Sequence, residues 1–186
     1  MKPKKREASF TYPVKEHGTF LATRTKGADA RRTLEEELRA AAPVVMLTID
    51  FSGVQAMTNS FIDEFLGKFY LLLTAGDSTL EGVQLTGLDD ETREGVAVCL
   101  ERRKSIAVDG DTHGLLGDTA ILADTYAQAR RLRLFRAAQL AEALEISLPN
   151  ANNRLKKLVE AGALHRERSG GPERGGKEFS YRLPQG

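Results

Sequence analysis

The stretch near the carboxyl end constrains the fold most, because its spacing predicts two short helices joined by a turn. Apolar residues recur at helical spacing over residues 138–144 and again over 151–159. Ser147 stands where an N-cap belongs, and Pro149 suits a first helical turn because its missing N–H would have had no intrahelical partner there. Gly162 has the position of a residue that ends a helix. The pattern therefore predicts a helix-turn-helix.

A basic ribbon follows the second helix. Residues 163–168 and 177–183 predict two strands, and the glycines between them predict the tip of a wing. This arrangement resembles the winged helix-turn-helix DNA-binding domains of bacterial regulators of the MarR and ArsR kind. The resemblance covers roughly the last third of the chain. It implies a small α+β winged helix-turn-helix domain over residues 118–186 that binds double-stranded DNA.

The second helix has two chemically different faces. A helical projection places polar side chains on one face and apolar ones on the other, namely Ala151, Leu155, Leu158 and Val159. Amides can pair with adenine edges in a major groove, and ammonium groups can pair with phosphates or guanine. The predicted DNA contacts are Asn150, Asn153, Arg154, Lys156 and Lys157 on the helix, and Arg166, Arg168, Arg174 and Lys177 on the wing.

The charge distribution agrees with this placement. Residues 120–186 carry 12 Lys and Arg against 7 Asp and Glu, a net charge of +5. Residues 1–119 carry 15 against 19, a net charge of −4. Because binding a polyanion requires positive charge, the basic part is the one expected to contact nucleic acid.

The first part of the chain alternates strand-like and helical patterns, which implies an α/β fold with a mixed sheet over residues 9–108. A basic tail, residues 1–8, is predicted to be disordered, and the Gly-rich residues 109–117 are predicted to be a linker. The pattern predicts a hairpin over 9–14 and 18–23, a helix from Ala28, a strand over 44–51, a helix over 60–74, a strand over 82–88, a helix over 90–104 and a strand over 105–108.

A second resemblance lies after the predicted strand over 44–51. The chain reads Asp-Phe-Ser-Gly-Val from residue 50 and Asn-Ser-Phe-Ile-Asp-Glu-Phe-Leu-Gly from residue 59. These runs resemble STAS-like bacterial domains, which have the anti-sigma-factor-antagonist fold, over about residues 19–108. The resemblance implies that Ser60 aligns with a serine that a histidine-kinase-like ATPase phosphorylates. Thr58 and Phe61 depart from the pattern, since antagonists carry an acidic residue and Gly at those positions.

We expect the loop before this helix to be a regulatory surface, because a βα loop lies at the sheet edge where α/β folds bind ligands or partners. Plainer interpretations remain open for two of its residues. Ser60 and Asp63 have the spacing of a capping box. Asp50 has the position of a carboxylate that hydrogen-bonds the next loop. The predicted regulatory residues are Asp50, Thr58, Asn59 and Ser60.

Catalysis is not expected from this sequence. His17, His113 and His165 lie in three different predicted segments and form no metal spacing or catalytic triad. Residues 171–177 have the glycine and lysine spacing of a P-loop, but Glu178 replaces the Ser or Thr that would bind magnesium. We therefore expect no catalytic residue, no metal and no cofactor.

The same sequence argues against a membrane or secreted protein. No apolar run reaches the roughly eighteen residues that a membrane span needs, and the basic start lacks the apolar core of a signal peptide. Cys99 is the single cysteine, which excludes an internal disulfide. We expect a cytoplasmic protein without membrane contact.

Two functions remain open. One is a transcriptional regulator with a STAS-like sensing domain and a winged DNA-binding output domain. The other is a partner-switch component that binds protein and is regulated by a histidine-kinase-like ATPase. By analogy with winged regulators we expect a homodimer that pairs through a helix over 118–131. The residues of that predicted contact, which alternatively cover the winged core, are Ile121, Leu122, Tyr126 and Ala129.

Overall fold

The computed structural model describes residues 8–41, 43–76, 78–168 and 178–185. None of the helices in these ranges combines the length and apolar character that a membrane crossing requires. In chain order the elements are β1 (Ser9–Pro13), β2 (Phe20–Leu21), α1 (Arg24–Ala40), β3 (Met46–Asp50), β4 (Ala56–Met57), α2 (Asn59–Ile62), α3 (Lys68–Thr74), β5 (Gly82–Thr86), α4 (Asp90–Arg102), β6 (Ile106–Asp109), β7 (Gly114–Gly117), α5 (Leu122–Leu132), β8 (Leu134–Arg136), α6 (Ala137–Ala143), α7 (Leu148–Glu160), β9 (His165–Arg168) and β10 (Phe179–Arg182).

Within the described ranges, five strands form one mixed sheet in the order β1-β3-β5-β6-β7. The first four strands are parallel, and β7 runs antiparallel to β6. Leu47 and Ile49 of β3, with Val83 and Leu85 of β5, alternate with more exposed residues and so share one face of the sheet. On that face they form a core with α1, α2, α3 and α4. The predicted α/β fold with a mixed sheet is confirmed at this level.

The predicted hairpin over residues 9–14 and 18–23 is wrong. β1 pairs in parallel with β3, whereas β2 pairs in parallel with β4, a short strand in the loop between β3 and α2. A 3-10 turn, Val14–His17, separates the two strands and buries Val14 in the core. The alternation of side chains along a strand specifies which face is buried, but it does not specify which strand is the partner.

Residues 109–117 are not a linker. They include the end of β6, a turn and the whole of β7, which completes the sheet as its edge strand. Asp109 is fully buried and accepts a hydrogen bond from Arg93 Nε at 2.7 Å. The backbone N–H groups of Asp111 and Thr112 also donate to its Oδ1. The glycines of this stretch therefore serve a β-hairpin.

Helix α2 is capped differently from the prediction. Thr58 is its N-cap, and Thr58 Oγ1 accepts a hydrogen bond from the backbone N–H of Phe61 at 3.3 Å. Asp63 instead faces the end of α4. Nη2 of Arg103, the residue that follows this helix, donates to Asp63 Oδ2 at 2.9 Å. This hydrogen-bonded guanidinium holds the pKa of the Asp63 carboxyl below its ordinary value. The predicted capping box between Ser60 and Asp63 is therefore wrong, and a π-helical turn, Asp63–Gly67, joins α2 to α3.

The rest of the chain forms a second group of elements. β8, β10 and β9 make a separate antiparallel sheet in that order beside α5, α6 and α7. The core of this second group also covers the face of the large sheet opposite α1, α2, α3 and α4, because Ile106 and Val108 of β6 belong to it. The carbonyl oxygen of Gly162 also accepts a hydrogen bond from the backbone N–H of Val83 at 3.0 Å. The end of α7 is thus joined directly to β5.

Helix α5 begins at Leu122, later than the predicted start near residue 118. Leu122, Tyr126 and Ala129 are buried in the second core, where burial raises the pKa of Tyr126. Ile121 is different, since 61% of it is exposed. Three of the four residues offered for a dimer contact therefore cover the protein's own core, which is the alternative interpretation of these residues.

Candidate nucleic-acid interface

The ends of α7 lie where the sequence predicts them. Ser147 Oγ accepts a hydrogen bond from the backbone N–H of Asn150 at 3.3 Å, and Pro149 lies in the first turn. Gly162 follows the helix with φ +69°, a conformation that strains any residue with a Cβ. Of the predicted apolar face, Ala151, Leu155 and Leu158 are buried, and Val159 is half-buried against the same core.

The outward face of α7 carries amides and lysines. Its exposed residues include Asn150, Asn153, Lys156 and Lys157. Lys156 Nζ lies 3.7 Å from a carboxylate oxygen of Glu160, whereas Lys157 forms no ion pair with any described residue. An exposed pair such as that of Lys156 contributes little to stability. Both ammonium groups can therefore turn toward an approaching anion.

Arg154 lies at the edge of that face, beside Asn150, and is half-buried. Its Nη1 donates to the carbonyl oxygen of Ile121 at 3.3 Å and to Thr125 Oγ1 at 3.1 Å, and its Nε donates to Asn150 Oδ1 at 3.0 Å. The guanidinium therefore ties α7 to the start of α5. These acceptors hold the Arg154 guanidinium in the absence of DNA, and its approach to the DNA backbone stays a prediction.

A groove of about 430 Å³ separates α7 from the β9–β10 hairpin. Asn153 and Lys156 line its helical side, and Arg166 and Phe179 line the strand side. The Arg166 guanidinium lies 4.6 Å from the centroid of the Phe179 ring, which is a cation–π contact. Arg168 is exposed farther along β9. Of the predicted hairpin contacts, Arg174 and Lys177 lie outside the described residues.

The predicted regulatory residues lie along the chain from β3 to α2. Asp50 Oδ1 accepts a hydrogen bond from the backbone N–H of Ser52 at 2.9 Å, so Asp50 does order the following loop. Thr58 Oγ1 donates to the carbonyl oxygen of Ala22 at 2.8 Å, in addition to capping α2. Asn59 is exposed, while Ser60 is half-buried.

Sequence reasoning missed one group of residues near α7. Tyr70 and Leu71 of α3 and Lys104 after α4 line a cavity together with Lys157. These positions are distant in the chain and follow no shared local pattern. Only the packing of the second group of elements against the large sheet brings them together.

Comparison with known proteins adds no relative. No protein-family model, no curated protein and no solved structure matches this chain. The functional argument therefore depends on the residues and on their geometry.

Proposed function

We propose that the protein is a non-enzymatic bacterial transcriptional regulator, in which a STAS-like domain receives a signal and a winged helix-turn-helix domain binds double-stranded DNA. One observation carries the proposal: the exposed amide and lysine face of α7 borders a groove whose other side presents Arg166. The order α5-β8-α6-α7-β9-β10, with a β8-β10-β9 sheet, supports a winged arrangement around that helix.

Each side chain of the interface has a distinct role in this proposal. Asn150 and Asn153 face base edges in the major groove, while Lys156 and Lys157 approach phosphates. Arg166 and Arg168 contact the minor groove or its flanking phosphates from the hairpin, as Arg174 and Lys177 are also proposed to do.

The direct test is binding to fluorescent duplex DNA of random sequence, followed by anisotropy at low and moderate salt. We expect binding that weakens steeply as salt rises, because phosphate contacts release counterions. Selection from a random duplex library should then yield a preferred sequence. A protein that fails to bind duplex DNA even at low salt would refute the proposal.

We also propose that the regulator acts in the cytoplasm as a homodimer and reads two half-sites about one helical turn apart. Because Leu122, Tyr126 and Ala129 are buried, another surface must provide the contact. Light scattering at micromolar concentration should give twice the chain mass, and a monomer there with a single-half-site footprint would count against pairing.

A second candidate is a partner-switch component, and one exposed aromatic residue favours it. Phe20 is 63% exposed on β2, and the next residue, Leu21, accepts a hydrogen bond from the backbone N–H of Thr58 at 2.9 Å. Exposed aromatics are enriched at protein interfaces. Under this candidate, a protein such as a histidine-kinase-like ATPase binds the surface formed by Phe20, Thr58, Asn59 and Ser60.

The second candidate is tested at Ser60. Incubation with such a kinase and ATP should add the mass of one phosphate to the wild type and none to Ser60→Ala. Ser60→Asp and Ser60→Ala should also change partner binding in opposite directions. If both variants fold and match the wild type in partner and DNA binding, Ser60 has no regulatory role.

A further inference from the structure

A cavity of about 240 Å³ lies where the second group of elements meets the large sheet. Gln84 of β5 lines it from the sheet, and Tyr126 and Arg130 of α5 line it from the second group. Val83 and Gly162 also line it, and the hydrogen bond between them joins the end of α7 to β5. Both groups of elements therefore build this cavity, beside the contact that connects α7 to the sheet.

Tyr126 offers the cavity a free hydrogen-bond donor. The residue is only 6% exposed, and its hydroxyl has no hydrogen-bond partner among the described residues. Within those residues, the Tyr70 hydroxyl is the one unpaired polar side-chain atom that is closed off from solvent, so the Tyr126 hydroxyl stays accessible. Burial raises the pKa of Tyr126, which keeps the phenol protonated at neutral pH. Because Tyr126 lines the cavity, a ligand oxygen there can accept a hydrogen bond from it.

Arg130 gives the cavity a positive charge. Its Nη1 donates to the carbonyl oxygen of His113 at 3.1 Å, and the guanidinium forms no ion pair with any described residue. This bond uses only one of the five N–H groups of the side chain. No Asp or Glu is present among the described residues that line the cavity, so no carboxylate at its wall offsets the charge. Tyr126 and Arg130 are four residues apart on α5, so they project from the same face of the helix.

Much of the remaining lining is apolar. Met46 and Val108 contribute from the sheet, and Leu183 and Pro184 contribute from the segment after β10. Pro184 is held closely, because it packs against Gly82 with no room for a Cβ at that position. The cavity is smaller than the roughly 300 Å³ at which sites for drug-sized ligands begin. Its ligand is therefore expected to have only a few carbon atoms.

We propose that this cavity binds a small carboxylate with a short aliphatic body. The Arg130 guanidinium holds the carboxylate, and the Tyr126 hydroxyl donates a hydrogen bond to one of its oxygens. Met46, Val108 and Pro184 cover the aliphatic body. The two polar groups select the charged end of the ligand, and the apolar side chains select its length.

The position of the cavity also gives the ligand a route to α7. A bound carboxylate contacts β5, α5 and the residues after α7 at the same time, so it fixes the second group of elements against the sheet. This contact lies beside the hydrogen bond between Val83 and Gly162. The carboxylate is then the signal that changes DNA binding by α7, and this last step rests on the proposed function.

The site is tested without DNA. The full chain, labelled with ¹⁵N, is titrated with sodium hexanoate at constant pH and ionic strength and followed by NMR. We expect saturable shifts centred on the amides around Gln84, Tyr126, Arg130 and Gly162. Hexanamide keeps the aliphatic body without the charge, and it should bind at least about tenfold more weakly. Acetate keeps the charge without the body, and it should also bind at least about tenfold more weakly because less apolar surface is buried.

Substitutions separate a binding role from a structural one. Tyr126→Phe should weaken hexanoate binding about threefold to tenfold without lowering the unfolding temperature, because the lost hydroxyl has no partner in the free protein. Arg130→Gln should weaken binding at least about tenfold. Arg131→Gln is the matched control, since it removes the same charge from the next, exposed position of α5 and should leave hexanoate binding unchanged.

Three results would overturn the proposal. The first is an absence of saturable shifts in the wild type, and the second is hexanamide or acetate binding as tightly as hexanoate. The third is wild-type hexanoate affinity in folded Tyr126→Phe or folded Arg130→Gln, or a loss in Arg131→Gln as large as that in Arg130→Gln.

The DNA arm distinguishes this inference from the proposed function. Saturating hexanoate should change the DNA affinity of the wild type at least about fivefold and leave that of Arg130→Gln unchanged. If hexanoate binds and the protein fails to bind DNA, the cavity assignment stands and the proposed function fails. If DNA binds and hexanoate produces no saturable shift, the cavity assignment fails alone. If both bind without affecting each other, the regulatory step is refuted and the binding site stands.

Discussion

Replacing Lys157 with Ala should lower the affinity for duplex DNA and weaken its salt dependence. Each neutralised phosphate contributes about 0.9 to the magnitude of the slope of log affinity against log salt. One such contact therefore raises the affinity about eightfold at about 0.1 M salt, compared with about 1 M salt. The four exposed cations of the proposed interface that lie within the described residues contribute about −3.6 to the slope per chain, and Lys157→Ala should reduce the magnitude of the slope by about 0.9. The four cations are Lys156, Lys157, Arg166 and Arg168.

Arg154→Ala is the matched control, because it removes a cation from the same helix whose guanidinium is held by acceptors within the protein. The substitution would remove the hydrogen bonds that Arg154 donates to Asn150, Ile121 and Thr125. Since the group is partly exposed, the expected cost is about 1–2 kcal/mol in the free energy of unfolding. For a chain of this size that lowers the unfolding temperature by about 2–6 °C. The salt slope should stay near the wild-type value.

Two measurements check this pair of variants. Fluorescence anisotropy with a labelled duplex, at salt concentrations from about 0.05 to 0.2 M, gives the slope. Scanning calorimetry without DNA gives the unfolding temperature. The reasoning is refuted if Arg154→Ala loses about 0.9 of slope while remaining as stable as the wild type, or if Lys157→Ala changes neither slope nor affinity.

Three further predictions concern single positions. Gly162→Ala should destabilise the protein by about 1–3 kcal/mol in urea unfolding, because φ is +69° there and the added Cβ would lie 2.8 Å from the nitrogen of Val83; an unchanged midpoint would contradict this. Asp63→Asn should be less stable than the wild type near neutral pH, and the difference should vanish in acid. The hydrogen bond from Arg103 lowers the pKa of Asp63, so its stabilisation is present above the ordinary value of 3.8 and is lost as the pH falls through the lowered pKa; a difference that persists in acid would exclude this cause. Asn153→Ala should change the sequence recovered from a random duplex library with little change in salt slope, and an unaltered preference would remove Asn153 from base reading.

The sequence predicts α7 well because the signals that define its ends are local. Ser147 needs only its own side chain and an N–H three residues later to cap the helix. Gly162 needs only a left-handed backbone to end it. The inward face follows from helical spacing alone, which is why Ala151 and Leu155 are buried as expected.

Long-range contacts explain what the sequence did not predict. The segment after Asp109 has the glycines of a linker and equally those of a hairpin turn. The choice depends on Arg93 of α4, whose guanidinium engages the buried Asp109 carboxylate. Arg154 poses the same problem, because a helical projection cannot show that α5 lies within reach of its guanidinium. Both cases concern a charged group whose partner is distant in the chain.

The junction between the two groups of elements determines how a signal could reach α7. The carbonyl oxygen of Gly162 is bonded to Val83 of the large sheet, and His165 Nδ1 lies 3.3 Å from a carboxylate oxygen of Glu81 just before β5. Both contacts hold the carboxyl end of α7 and the start of β9 against β5. Displacement of β5 therefore either moves the exposed face of α7 or breaks a buried backbone hydrogen bond, at a cost of about 1–3 kcal/mol.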